Sequence, residues 1–246
     1  MAVPLWQKGI VTRMEDETPN TRRFWIELPE TSNFEFKPGQ FVTLDLPIHE
    51  KPAKRWRSYS IASCPNGGNV IELVIVLLEM GSGSHYLFEN VKPGDTLTLR
   101  GPQGVFTLPE VIDRALYFIC TGTGIAPFRS MVHHIKNNNI PHKDIYLLFG
   151  TRTHADLLYF DEMKKLDQEM ETFHYLPTLS REEWKGHRGY AHSLYEELVQ
   201  QKRSESGDLP EAHFFLCGWK NMIDEAKKRI QALGYDRKAI HQELYG

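Results

Sequence analysis

The chain has 246 residues, 41% hydrophobic and 25% charged, with 29 Lys and Arg against 32 Asp and Glu for a net charge of -3. That make-up fits a globular protein of one or two domains, and the mild acidity gives no electrostatic reason to expect nucleic acid. No run reaches the eighteen or so apolar residues of a membrane span, and the start at Met1-Ala2-Val3-Pro4 lacks a signal-peptide layout. Three cysteines, Cys64, Cys120 and Cys217, suit a reducing cytoplasm. His133-His134 and the other histidines show no zinc-type pairing with cysteines, so no metal site is expected. The expectation is a monomer without membrane insertion.

Strand-like stretches recur through the first half: Lys8 to Met14, Thr21 to Leu28, Phe41 to Leu46, Arg57 to Ala62, Val70 to Leu77 and Thr96 to Gly101. Pro38-Gly39 and Pro93-Gly94 punctuate them, and the spacing predicts an antiparallel barrel. Arg57-Ser58-Tyr59-Ser60 stands out within it. Arg57 and Tyr59 share a parity and Ser60 faces the other way. An Arg fork can take a diphosphate, the phenol adds a hydrogen bond and a ring face, and a serine can donate to a flat heterocycle. The plain alternative is an exposed edge strand. Gly81-Ser82-Gly83-Ser84 then opens a short amphipathic segment, His85 to Glu89. Ser84 is expected as its N-cap, with N–H groups beside it free for an anion, and a ligand-free turn is the alternative.

The organisation changes near Leu108 to Arg114. Leu116 to Cys120 reads as a buried strand. Thr121-Gly122-Thr123-Gly124 follows as a turn and Pro127 sits in the first turn of a helix, the layout of a phosphate-binding loop. Its spacing is not G-x-G-x-x-G, and no acidic residue lies about twenty residues on, so a bare strand-to-helix turn is the alternative. Helical patterns at Phe128 to Lys136, Tyr159 to Met170, Ala191 to Gln200 and Asn221 to Ala232 alternate with strands beginning at Ile145 and at Thr172 to Leu176 and His213 to Leu216. A parallel sheet with helices on both faces is predicted. Thr121, Thr151, Ser180 and Gly218 fall just past strand ends, where such sheets bind ligands.

In this order, R-x-Y-S at Arg57 to Ser60, G-x-x-S ending at Ser84 and G-T-G-I-A-P-F-R-S at Gly122 to Ser130 resemble the signature of the ferredoxin-NADP reductase family of flavoproteins, and the likeness runs from about Gln7 to Tyr245. The resemblance implies an FAD-binding β-barrel domain over 1–108 and an NAD(P)-binding α/β domain over 109–246. It implies that Arg57, Ser58, Tyr59 and Ser60 hold the flavin, with Ser60 near its reactive nitrogen, and that Ser82, Gly83 and Ser84 hold the pyrophosphate. Thr121, Gly122, Thr123 and Gly124 would receive the nicotinamide dinucleotide, with Arg152 touching it. Ser180 and Arg181 resemble the segment that reads the adenosine phosphate, with Arg188 for the 2′-phosphate and Tyr190 for adenine. Cys217 and Gly218 would lie beside the nicotinamide, Glu243 would relay protons and Tyr245 would cover the flavin face. Gly246 stands one residue beyond the point where many relatives stop.

The implied activity carries hydride from NADPH to FAD and single electrons on to a ferredoxin or flavodoxin. Three scattered cysteines are too few for an iron-sulfur cluster, so the carrier is expected to be a separate protein. The basic run Lys51, Lys54, Arg55 and Arg57 would steer an acidic carrier. The short segment between Val76 and Gly81 keeps FMN as an alternative to FAD, and Glu182 and Glu183 among the phosphate-reading residues keep NADH beside NADPH. The rival functions are an NADH-dependent reductase component of an oxygenase, a free-flavin reductase, and a non-enzymatic module that retains the fold.

Overall fold

Period-two burial builds the first half. In β1 (Gln7–Thr18) and β2 (Thr21–Glu27), Val11, Phe24 and Ile26 are wholly buried while Thr12 faces solvent, and a register shift between Val11 and Arg13 turns Arg13 outward as well. With β3 (Phe41–Asp45), β4 (Trp56–Ser60), β5 (Val70–Val76) and β6 (Thr96–Gln103) they form an antiparallel six-stranded sheet in the order β4-β3-β6-β1-β2-β5. The two ends of that order meet through a bridge between Ile61 and Leu73, reinforced by the Ala62 N–H donating to the Glu72 carbonyl at 2.8 Å. Joining the ends removes open edges and gives the expected barrel. Helix α1 (Ser82–Glu89) buries Leu87 in the barrel core with Phe24, Leu44, Leu73 and Leu99.

The structure, a computed structural model, describes residues 4–245, which divide into two compact units. One runs to Leu108 and takes in Ala126–Asn137, nearly all of helix α2 (Ile125–Asn137). The other holds Pro109–Ile125 and the chain from Asn138 onward.

In the second unit, β7 (Ala115–Thr121), β8 (Ile145–Thr151), β9 (Phe173–Leu179), β10 (His187–Arg188), β11 (Ala212–Trp219) and β12 (Ile240–Tyr245) form a parallel sheet in the order β10-β9-β8-β7-β11-β12. Helices α3 (Phe160–Glu169), α4 (Ala191–Ser206) and α5 (Lys220–Ala232) connect it. Central strands covered on both faces read as continuous apolar runs, and Leu116 to Cys120 are all buried. Across one face His174, Tyr146, Tyr117 and Phe214 stack ring on ring over four neighbouring strands, with centroids 4.8–4.9 Å apart. The order reverses direction between β7 and β11, and at such a switch point the carboxyl ends of the strands open a crevice.

Several elements differ from the sequence reading, β1 running past Met14 to Thr18 and α2 starting at Ile125 among them. Strands β10 and β12 were not expected, the first because it has only two residues and the second because Ile240–Tyr245 mixes charge and aromatics without clean alternation. Helix α4 runs past Gln200 to Ser206, because Gln-Lys-Arg-Ser-Glu-Ser can stay helical until Gly207 adopts φ 82° and caps it.

Candidate cofactor sites

Strand β4 carries Arg57, Ser58, Tyr59 and Ser60. Tyr59 packs against the barrel core, while Ser58 and Ser60 lie opposite Thr43 and Phe41 of β3. Ser60 is 5% exposed. The Ser58 hydroxyl is 3.0 Å from that of Thr43, which donates to the Gln103 side-chain oxygen at 3.1 Å. Burial pushes the Tyr59 phenol up to about 12, against the pull of Arg57, so at neutral pH it is a hydrogen-bond donor and not a phenolate.

Arg57 reaches the start of α1. Its guanidinium donates to the Trp56 carbonyl at 2.7 Å and the Lys54 carbonyl at 3.1 Å, and lies 3.4 Å from the Ser82 hydroxyl. A Cβ at residue 83 would lie 2.9 Å from Arg57 Cγ, so the close approach of the arginine stem requires the glycine. A fork, a hydroxyl and bare backbone thus converge at one place, which fits a pyrophosphate. Ser84 corrects the capping expectation: Gly81 holds the N-cap position and Ser84 lies inside the helix. The buried Ser84 hydroxyl accepts from the Leu78 N–H at 3.1 Å and donates to the Gly81 carbonyl at 2.9 Å. It therefore shapes the loop.

The basic run is thinner than its sequence suggests. Arg55 forks onto the carboxylate of Asp45, one arm at 2.6 Å, and Arg57 is turned toward α1, which leaves Lys51 and Lys54 facing solvent.

In the second unit the loop Thr121 to Gly124 lies at the switch point. Thr121 ends β7 and Gly122 takes φ 52°, a conformation that favours glycine. A Cβ at Gly124 would fall on the Cys217 carbonyl, so this loop packs directly on the end of β11. The Thr121 hydroxyl is buried with no hydrogen-bond partner among the described residues and would lie 2.6 Å from a Cβ at Gly218. A buried hydroxyl left in this state fits a polar ligand such as a carboxamide. Cys217 is fully buried between Cys120 of β7 and Glu243 of β12, its register neighbours. Burial, with Glu243 adding to it, pushes the Cys217 thiol up, so it stays protonated. Tyr245 lies opposite Trp219 and its hydroxyl donates to the Thr123 carbonyl at 3.1 Å. Gly246 lies outside the described residues.

A second cluster forms at the ends of β8 and β9. The Ser180 hydroxyl and N–H both donate to the Thr151 carbonyl, at 3.2 and 3.0 Å, and the Arg181 N–H donates to the Arg152 carbonyl at 2.9 Å. Ser180, Arg181, Glu183 and Arg188 line one surface pocket. Arg188 pairs with Glu183 at 3.1 Å, Glu182 accepts the His154 N–H at 2.7 Å, and the Tyr190 ring is 73% exposed.

Sequence reasoning missed the hub at Glu72. This buried carboxylate in β5 accepts from Arg23 of β2 at 2.6 Å and from Arg129 of α2 at 3.1 Å. Arg129 also donates to the Ala62 carbonyl at 2.8 Å, and Ser130 donates to the Ser63 carbonyl at 2.6 Å, so α2 is fastened to the segment that follows Ser60. The signal was present in Val70-Ile71-Glu72-Leu73-Val74, since a carboxylate inside an apolar run needs cationic partners.

Residues 8–108 match the oxidoreductase FAD-binding domain family and residues 118–228 the oxidoreductase NAD-binding domain family. A protein of Sorangium cellulosum named ferredoxin–NADP reductase B is 36% identical over 232 residues, 93% of each chain. The chain belongs to the ferredoxin-NADP reductase family. The reductase is also 34% identical to the electron transfer component of anthranilate 1,2-dioxygenase from Acinetobacter baylyi, over 89% of its own length but 61% of that protein. It spans a similar share, 62%, of the glycine betaine monooxygenase reductase subunit of Pseudomonas aeruginosa, at 30% identity. Among solved structures, a ferredoxin NADP+ reductase from Neisseria gonorrhoeae with bound FAD and NADP superposes with a TM-score of 0.80 at 25% identity, covering 97% of the reductase and 98% of that chain. The chain is thus a flavoprotein oxidoreductase with one FAD-binding and one NAD-binding domain.

Proposed function

We propose that the reductase takes hydride from NADPH onto FAD and delivers electrons singly to a separate ferredoxin or flavodoxin. The observation that supports this reading is the match to a ferredoxin–NADP reductase at 36% identity over 93% of this chain, against 34% and 30% identity to the two oxygenase components. Bound FAD supplies the two-electron acceptor that can release electrons one at a time. Arg57, with Ser82 and Gly83, would grip its pyrophosphate, Tyr59 would offer a neutral phenol, and Ser60 would donate toward the ring. Thr121 to Gly124 and Gly218 would receive the nicotinamide end, while Ser180, Arg181, Arg188 and Tyr190 would hold the adenosine end and Arg152 would touch the dinucleotide between them. Cys217, protonated and buried, would exclude water beside the nicotinamide, with Glu243 relaying protons and Tyr245 covering the flavin ring. Lys51 and Lys54 would attract an acidic carrier. Three free thiols support a reducing compartment, the cytoplasm.

A second reading, an NADH-using reductase component of an oxygenase, is favoured by the two carboxylates among the arginines at the end of β9. The deciding experiment is an anaerobic titration of the purified yellow protein, in which about one equivalent of NADPH bleaches the flavin absorbance. An acidic ferredoxin offered next is then reduced. A colourless protein or one that NADPH does not bleach overturns the proposal, and reduction of an oxygenase component but no ferredoxin supports the second reading.

A further inference from the structure

The pocket at the end of β9 holds two guanidiniums in different states. Arg181 forms no ion pair among the described residues, whereas Arg188 carries Glu183 at 3.1 Å. Glu182 is held in place, its carboxylate accepting the His154 N–H at 2.7 Å. Glu183 is 85% exposed at its side chain and Arg188 59%, so their pair is solvated, weak and easily exchanged.

Glu183 touches Arg188 through one N···O contact at 3.1 Å, whereas a phosphate offers the guanidinium a two-point contact with more charge. A phosphate that takes the edge of the guanidinium holding Glu183 displaces that carboxylate, and whether displaced or in place Glu183 stays within the same pocket, where its charge opposes the phosphate. A ribose with a free 2′-hydroxyl meets no such competition, because a carboxylate accepts hydrogen bonds from hydroxyls. On the reading that Arg188 is the 2′-phosphate ligand, we propose that Glu183 is a specificity-determining residue, an internal anion seated on that arginine which narrows the preference for NADPH over NADH. Position 183 sets the ratio and Arg188 supplies the affinity on which it acts.

The test uses the full-length holoprotein and two probes, 2′,5′-ADP and 5′-AMP, titrated by calorimetry in low salt. In Glu183→Gln, 2′,5′-ADP binds roughly three- to fivefold more tightly, the range that loss of one exposed ion pair allows, while 5′-AMP stays within about twofold. In Glu183→Gln combined with Arg188→Gln the gain disappears. Both side chains are exposed, so the variants retain the fold, which their far-ultraviolet circular dichroism checks. Unchanged 2′,5′-ADP affinity in Glu183→Gln, with Arg188→Gln weakening it, overturns the role of Glu183 and leaves the arginine reading standing. If Arg188→Gln leaves 2′,5′-ADP unaffected, the arginine reading itself fails, and the proposal falls with it.

Discussion

Replacing Glu72 by alanine tests whether the buried hub holds the first unit together. The side chain is 4% exposed and accepts charge-assisted hydrogen bonds at 2.6 Å from Arg23 and 3.1 Å from Arg129, which are themselves 19% and 12% exposed. Removing one partner of a buried ion pair costs about 3–5 kcal/mol, because the remaining charge stays desolvated. Here the loss falls at the low end, about 3 kcal/mol, since Arg23 keeps Glu17 at 3.3 Å and Arg129 keeps the Ala62 carbonyl at 2.8 Å. For a chain of this length that corresponds to a melting temperature lower by roughly 6–12 °C. Glu72→Gln retains an acceptor of the same shape and should lose less. The assay is urea unfolding of both variants followed by circular dichroism. A loss below about 1 kcal/mol for Glu72→Ala, the size of a surface pair, would refute the reasoning and show that the two arginines are solvated without their carboxylate.

Gly124→Ala places a methyl group on the Cys217 carbonyl and should abolish bleaching by NADPH while the protein still purifies yellow; a variant that bleaches normally shows that the loop can move away from β11. Arg57→Ala removes the fork beside Ser82 and should purify with most of its FAD lost, measured as the ratio of visible to ultraviolet absorbance, and full flavin content would remove Arg57 from the site. His241 stacks on Phe215 at 4.4 Å with Nε2 3.2 Å from His213 Nδ1, and burial lowers the pKa of both. Neutral in the fold and more basic when unfolded, they stabilise fully above the unfolded value of about 6.5. Stability should therefore fall as the pH drops from 7 toward 5, and His241→Phe should flatten that slope; an unchanged slope refutes the assignment.

The fold was legible where one physical rule governs a long stretch. Alternation in Thr21–Glu27 and continuous burial in Leu116–Cys120 gave the barrel strands and the central parallel strand directly, and the order of helices and strands gave the second sheet. Elements fixed by their neighbours were not legible. His187–Arg188 is a strand only because β9 lies alongside, and Ile240–Tyr245 because β11 does. At the flavin motif the parity of Arg57, Tyr59 and Ser60 was readable, whereas the place of Ser84 depended on where the helix begins, which Gly81 decides. Arg55 looked like part of a basic surface because Asp45, its partner, lies ten residues away and across a strand pair. The pairing of Glu183 with Arg188 likewise depends on how the loop before β10 folds back.

The Ile61–Leu73 bridge resembles the last stave fitted to a cask. It sits one residue beyond Ser60, so the strand bearing Arg57 to Ser60 is also the one at which the cylinder is closed. Local opening of a fold draws on its less stable parts, and on the proposed assignment of Arg57 to Ser60 to the flavin, parting this seam would also loosen the grip on the cofactor. The rate at which the Ala62 amide exchanges its proton would then track the rate at which flavin escapes, and each molecule of FAD bound would act as a hoop around the barrel.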